Sequence, residues 1–174
     1  PHTNRHNGGG WIASLEQIIR TEQSIQLGVA FEFPDNHFCR DKDGVVYYPV
    51  QCKKRSWIKK WLNNSNEEKK TKYYLKIIED FKPDLIQIFG SENDFGVICQ
   101  YTQIPVVIHM QGCILPYHNA LFPVRMNSFD FVFHRGLSLQ RRIIGIRSQH
   151  AFHKRAEKEI KIVQSCHYFM GRTE

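Results

Sequence analysis

The sequence predicts an α/β domain in three layers, a mainly parallel sheet with helices on both faces. Three observations carry this. Helical and extended patterns alternate along the 174 residues. Two extended runs, Asp84 to Gly90 and Ile104 to His109, are nearly continuous apolar stretches, as expected of parallel strands covered on both sides. Hydrophobic residues make up 41% of the chain and aromatics 13%, enough for a substantial core. No linker or repeat divides the chain, so residues 1–174 are read as a single domain.

The elements follow from spacing. Apolar residues at 11, 12, 15, 18 and 19 lie on one face of a helix over 11–22. Ile25, Leu27, Val29 and Phe31 alternate, which predicts a strand over 25–32. Asp41 to Gly44 is a turn signal, and Val45 to Val50 reads as an excursion or hairpin strand ending near Pro49. Asn63 to Asn66 breaks the chain and can cap a helix from Glu67 to Phe81, with Tyr74, Leu75, Ile78 and Phe81 on one side. Lys82, Pro83 and Asp84 stop it. A strand (84–90), a short helix (95–101) and a strand (104–109) follow. Residues 110–128 read as a long loop, 129–133 as a short strand or helix end, and 137–163 as two basic helices parted near Gly145. Residues 167–171 form a last short strand.

Charge narrows the partners. The net charge is +7, and its distribution is uneven. Residues 1–100 hold 14 Lys/Arg and 13 Asp/Glu, while residues 101–174 hold 10 and 4. The second part therefore presents a positive field suited to phosphate, an anionic membrane surface or nucleic acid. The five cysteines (39, 52, 99, 113 and 166) show no C-x-x-C pair and read as reduced structural thiols. Pro1 to Gly10 is polar and lacks a signal-peptide pattern, and no apolar run reaches the roughly 18–20 residues needed to span a bilayer. The expected location is the cytoplasm.

Four constellations could carry chemistry. Gly8, Gly9 and Gly10 lead into the first helix. Glycine lets a ligand approach the backbone, and a helix start offers free N–H groups to an anion; the same residues could equally be a flexible end. His109 closes a predicted buried strand, where ligands of open parallel sheets bind and where a histidine can donate a hydrogen bond or move a proton. It could also be a core histidine satisfied by a backbone carbonyl. The turn Gly90 to Gly96 carries Glu92, Asn93 and Asp94, which could bind sugar hydroxyls or cap the next helix. The basic groups form two sets. Lys53, Lys54, Arg55, Lys59 and Lys60 flank Trp57 and Trp61, which suits a membrane interface or base stacking. Arg135, Arg141 and Arg142 belong to a second basic set, which reads as an anion or membrane surface or as a solvated helix face. No metal-ligand spacing, P-loop or G-x-S-x-G occurs.

Taken in order, Gly8 to Glu16, Lys82 to Gly90, Val106 to Gly112 and Tyr168 to Glu174 resemble the N-terminal, acceptor-side domain of retaining GT-B glycosyltransferases of the family-four type. The resemblance implies a Rossmann-like domain facing a second one across a cleft, and transfer of a sugar from a nucleotide-sugar to a glycan or lipid-linked acceptor, as in polysaccharide biosynthesis. In that scheme Gly8, Gly9 and Gly10 lie near the donor diphosphate, and His109 lies near the transferred sugar. Glu92, Asn93, Asp94, Gln111 and Arg135 contact the acceptor. No cofactor or metal is implied; the nucleotide-sugar is a substrate. The family opens with a hydrophobic strand before the glycines, whereas here seven residues precede Gly8. That strand and the donor domain are expected to lie outside this chain, leaving it inactive alone and its sheet edge open to a homodimer. Peripheral attachment to the inner membrane face is a further expectation. The alternatives are a non-catalytic Rossmann-like scaffold and a basic nucleic-acid-binding module, nucleic acid being no partner that the resemblance implies.

Overall fold

The computed structural model describes residues 10–33, 44–51, 65–122, 124–133 and 138–171. It is a mixed α/β structure with short, entirely parallel sheets. The chain divides into two compact units, Pro1–Asn64 and Ser65–Glu174.

In the first unit, helix α1 (Gly10–Thr21) precedes strands β1 (Leu27–Phe33) and β2 (Val45–Gln51). Gly44 turns the chain into β2 at a φ of +79°, a conformation that favours glycine. β2 is no hairpin partner of β1. It runs parallel to it, with Leu27 opposite Val45 and Phe31 opposite Pro49. Pro49 is tolerated within β2 because each strand of a two-stranded sheet is an edge strand. A polar clamp joins helix to strand. The Tyr47 hydroxyl donates to Glu16 Oε1 at 2.5 Å, and Arg20 Nη2 donates to the Tyr47 oxygen at 2.5 Å and to Glu16 at 2.6 Å. Burial, together with the Glu16 carboxylate, pushes the Tyr47 hydroxyl pKa up despite the opposing pull of Arg20.

The second unit begins with helix α2 (Ser65–Phe81). Lys82, at a φ of +51°, ends the helix, and its N–H bonds to the Ile78 carbonyl at 2.8 Å. Strands β3 (Ile86–Phe89), β4 (Val106–His109) and β5 (Tyr168–Met170) form a parallel sheet in that order, so β4 is central. A 3-10 helix (Asp94–Gln100) links β3 to β4. Helices α3 (Ile114–Asn119), α4 (Ser128–Val132) and α5 (Leu139–Ser165) link β4 to β5. The 3-10 helix packs between α2 and α5, with the Tyr74 and Phe95 rings 5.0 Å apart. Ile108 and Ile162 are wholly buried, and Val97, Ile98 and Val106 complete the core around them.

Two sequence expectations change here, and one left open is decided. The 110–128 segment is not an unbroken loop, because α3 lies within it. Pro116 fits as the third residue of α3, in the first turn, where its missing N–H has no helical partner to lose. The 129–133 segment is helical, started by a capping box: Asn127 Oδ1 accepts from Phe129 N and Asp130 N, while Asp130 returns a bond to Asn127 N. The two helices parted near Gly145 are one helix of 27 residues. A mid-helix glycine costs about 1 kcal/mol relative to alanine, which does not by itself end a helix, and Gly145 is buried.

Candidate functional site

The carboxyl ends of β3 and β4 lie side by side, Phe89 opposite His109. The Gly90 N–H bonds to the His109 carbonyl at 2.9 Å, and Met110 N–H bonds to the Met170 carbonyl at 2.8 Å, so the ladder extends one step beyond each strand. Gly90 then turns the chain at a φ of +82°. A side chain here would be strained and would collide with the Glu92 carboxylate, which folds back over this glycine.

Beyond the turn, Ser91 is buried and its hydroxyl donates to Glu159 Oε1 through a short hydrogen bond. The other oxygen of Glu159 accepts from Leu115 N at 2.8 Å. Glu159 comes from α5 and is itself only 3% exposed. One buried carboxylate therefore ties the loop after β3 to the first turn of α3. Charge-assisted bonds of this kind are stronger than neutral ones, and leaving their donors unpaired is costly.

The two tethered loops border an open groove of about 440 Å³, lined by Glu92, Gly112, Cys113, Tyr117, Leu121 and Phe152 among others. Glu92 Oε2 is buried and accepts no hydrogen bond from any described residue. The groove thus sets the Glu92 side chain beside aromatic and aliphatic walls, a combination found in small-molecule sites. A second open groove, of about 570 Å³, adjoins it through Leu121 and is lined by His118, His150, His153 and Ile146 among others. There His153 Nδ1 lies 3.3 Å from His118 Nε2, and His153 Nε2 lies 3.2 Å from Glu157.

The predicted site residues are distributed as follows. His109 sits at the end of the central strand, its ring 5.8 Å from that of Phe89. Glu92 lines the first groove. Gln111 is exposed just after β4. Asn93 occupies the position before the 3-10 helix, but its side chain makes no capping bond there, which corrects the capping reading for that residue. Asp94 is committed to structure. It accepts from Lys158 Nζ at 2.5 Å and Lys70 Nζ at 2.9 Å. Burial raises the Asp94 pKa, but the two ammonium groups outweigh it and hold the carboxyl below its usual range. Arg141 is exposed, and Arg142 lies 5.9 Å above the Phe133 ring. Gly10 opens α1. Gly8, Gly9, Lys53, Lys54, Arg55, Trp57, Lys59, Lys60, Trp61 and Arg135 lie outside the described residues.

Ser91 and Glu159 escaped sequence reasoning. A signal did exist for Glu159: it shares a helical face with Ala156 and Ile162, both buried, so a carboxylate stands in an apolar stripe. Burial also pushes the Cys99 thiol, which neighbours Cys166, up to about 12. Among the described residues, no group of three His, Cys, Asp or Glu side chains could hold a metal ion, and no helix is long and apolar enough to cross a membrane. No family model, curated protein or solved structure matches this chain.

Proposed function

We propose that this chain is the acceptor-binding half of a retaining glycosyltransferase, and that its strands and helices belong to a three-layer Rossmann-like domain. The observation that carries the reading is the groove beside the carboxyl ends of β3 and β4. The Glu92 carboxylate is on its lining, and its Tyr117 and Phe152 rings offer apolar faces. A sugar supplies both complements: hydroxyl donors on its edge and C–H groups on its face. In this scheme Glu92 anchors an acceptor hydroxyl, and Glu159 acts through Ser91 and Leu115 to hold the groove's shape. His109, at the neighbouring strand end, hydrogen-bonds the transferred sugar. A second domain binds the nucleotide-sugar, and Gly8, Gly9 and Gly10 contribute to neutralising its diphosphate.

The test is a titration of free mono- and disaccharides followed by NMR shifts. Saturable binding, weak and on the order of millimolar, is expected for the unmodified chain. Glu92→Ala abolishes it, and His109→Ala leaves it intact. In the enzyme carrying both domains, His109→Ala lowers transfer. Absence of binding by every sugar, or binding indifferent to Glu92→Ala, rejects the groove as an acceptor site.

A further inference from the structure

Helix α3 packs on α5 and carries His118 in its last turn. His118 Nε2 lies 3.3 Å from His153 Nδ1 of α5. The His118 ring is also 5.8 Å from the Phe152 ring, so it rests on two successive residues of that helix. The other nitrogen of His153, Nε2, lies 3.2 Å from the Glu157 carboxylate, one turn further along α5. A carboxylate only accepts, so in neutral His153 this contact puts the proton on Nε2 and leaves a lone pair on Nδ1. His118 Nε2 then supplies the proton shared between the two rings. Both imidazoles line the second groove.

The spacing fits more than a hydrogen bond. Two nitrogens bound to one tetrahedral zinc ion at about 2.0–2.1 Å lie about 3.3–3.4 Å apart. The two helices therefore already hold the nitrogens at a metal-bridging separation, and only ring rotation is left to aim the lone pairs at an ion. A histidine that ligates a metal commonly donates its other N–H to a carboxylate, which fixes its tautomer and raises its basicity. Glu157 stands in that place.

We propose that His118 Nε2 and His153 Nδ1 form a site for a transition-metal dication, with Glu157 orienting His153. On binding, the His118 proton moves to its other ring nitrogen, so both facing nitrogens offer lone pairs and no net proton is released. With two protein ligands the site is open, in keeping with the absence of any metal-holding group of three His, Cys, Asp or Glu among the described residues. The remaining positions fall to water or to oxygen atoms of a molecule in the second groove. Basic residues on α5, among them Lys154 and Arg155, oppose a cation held by charge alone. The bonding comes instead from imidazole lone pairs, which suits zinc, copper and nickel and excludes calcium and magnesium, ions that need oxygen ligands. The ion would tie the end of α3 to α5, as Glu159 ties its beginning through Leu115. The site does not rest on the sugar-transfer reading.

The experiment is a calorimetric titration of Zn2+ into the full chain near neutral pH. Saturable binding is expected. Glu157→Gln weakens it roughly tenfold, and His118→Gln and His153→Gln each weaken it further than that. Ca2+ does not displace the zinc. Circular dichroism checks that each variant folds. A second measurement needs no variant: zinc protects His118 and His153 of the unmodified chain from acylation by diethyl pyrocarbonate, read by peptide mass mapping, while exposed His167 continues to react. No zinc binding, binding equally strong in both histidine variants, displacement by Ca2+, or unchanged acylation of the two histidines overturns the proposal and leaves the pair as an imidazole–imidazole hydrogen bond. The sugar titration reads other residues, so the two readings fail separately.

Discussion

Helix α5 has two halves that use the same kind of surface in opposite ways. Its carboxyl-terminal half buries Ala156, Glu159 and Ile162, and Ile162 packs so tightly on Gly96 that a Cβ added there would lie 2.5 Å from Ile162 Cγ2. Its amino-terminal half carries Leu139, Ile143, Ile144 and Ile146, yet only Gly145 is buried. The half that presents the isoleucine cluster is thus the exposed one, and the half that contains a buried glutamate is in the core. Hydrophobic periodicity says which face of a helix can be covered. Whether anything covers it depends on what the rest of the chain brings there.

The largest effect that could break this contrast lies in the packed half. Ile162→Ala should cost about 3 kcal/mol in chemical denaturation, through lost burial and a residual cavity. Ile144→Ala in the exposed half should stay within about 0.5 kcal/mol. Equal losses would mean that the two halves are equally packed. Next comes the tether. Glu159→Gln keeps the volume but turns an N–H group towards one of the two donors, Ser91 or Leu115, that now face carboxylate oxygens. A loss of about 2 kcal/mol is expected, with weaker sugar binding as the two loops separate. Unchanged stability would show that the tether is dispensable.

A smaller effect sharpens the comparison through pH. Lys158, also in the packed half, shares Asp94 with Lys70. The Asp94 carboxyl is held below its usual range in the folded state and titrates normally when unfolded. Its stabilisation is therefore complete above the ordinary aspartate pKa and is lost as pH falls through the lower, folded value. Thermal melts taken downward from neutrality should show this acid-side loss, and Asp94→Asn should flatten that part of the profile. An identical slope in both proteins would remove Asp94 from the acid response. The smallest expected signal is an absence of reaction. Cys99, raised to about 12 by burial and by Cys166, should resist maleimide at pH 8 while exposed Cys113 is labelled, as read by peptide mass mapping. Rapid labelling of Cys99 in the folded chain would show that the core opens there.

Most elements were legible from local chemistry. The α1 pattern, the alternation in β1, the Lys82 stop and the apolar runs ending at Phe89 and His109 all became elements with bounds close to those expected. Each depends on residues within a few positions of one another. The α4 capping box was equally local, with Asn127 and Asp130 three residues apart, and was overlooked because a short apolar run is ambiguous between strand and helix. Other features were not local. The parallel register of β2 is set by contacts across the intervening connection, and the uninterrupted passage of α5 through Gly145 is a property of the folded helix rather than of its glycine.

For the candidate site, the sequence alone singled out the strand ends, hence His109 and the Glu92 turn, because extended apolar runs declare where parallel strands finish. Only the tertiary structure decided which polar side chains are committed to structure. Asp94 is claimed by two lysines, one of them 64 residues away. Ser91 is claimed by Glu159, 68 residues away. The Glu92 carboxylate folds over Gly90, and its buried Oε2 accepts from no described residue. Spacing along the chain cannot rank these carboxylates, because which lysine or hydroxyl reaches each one depends on where a distant helix packs.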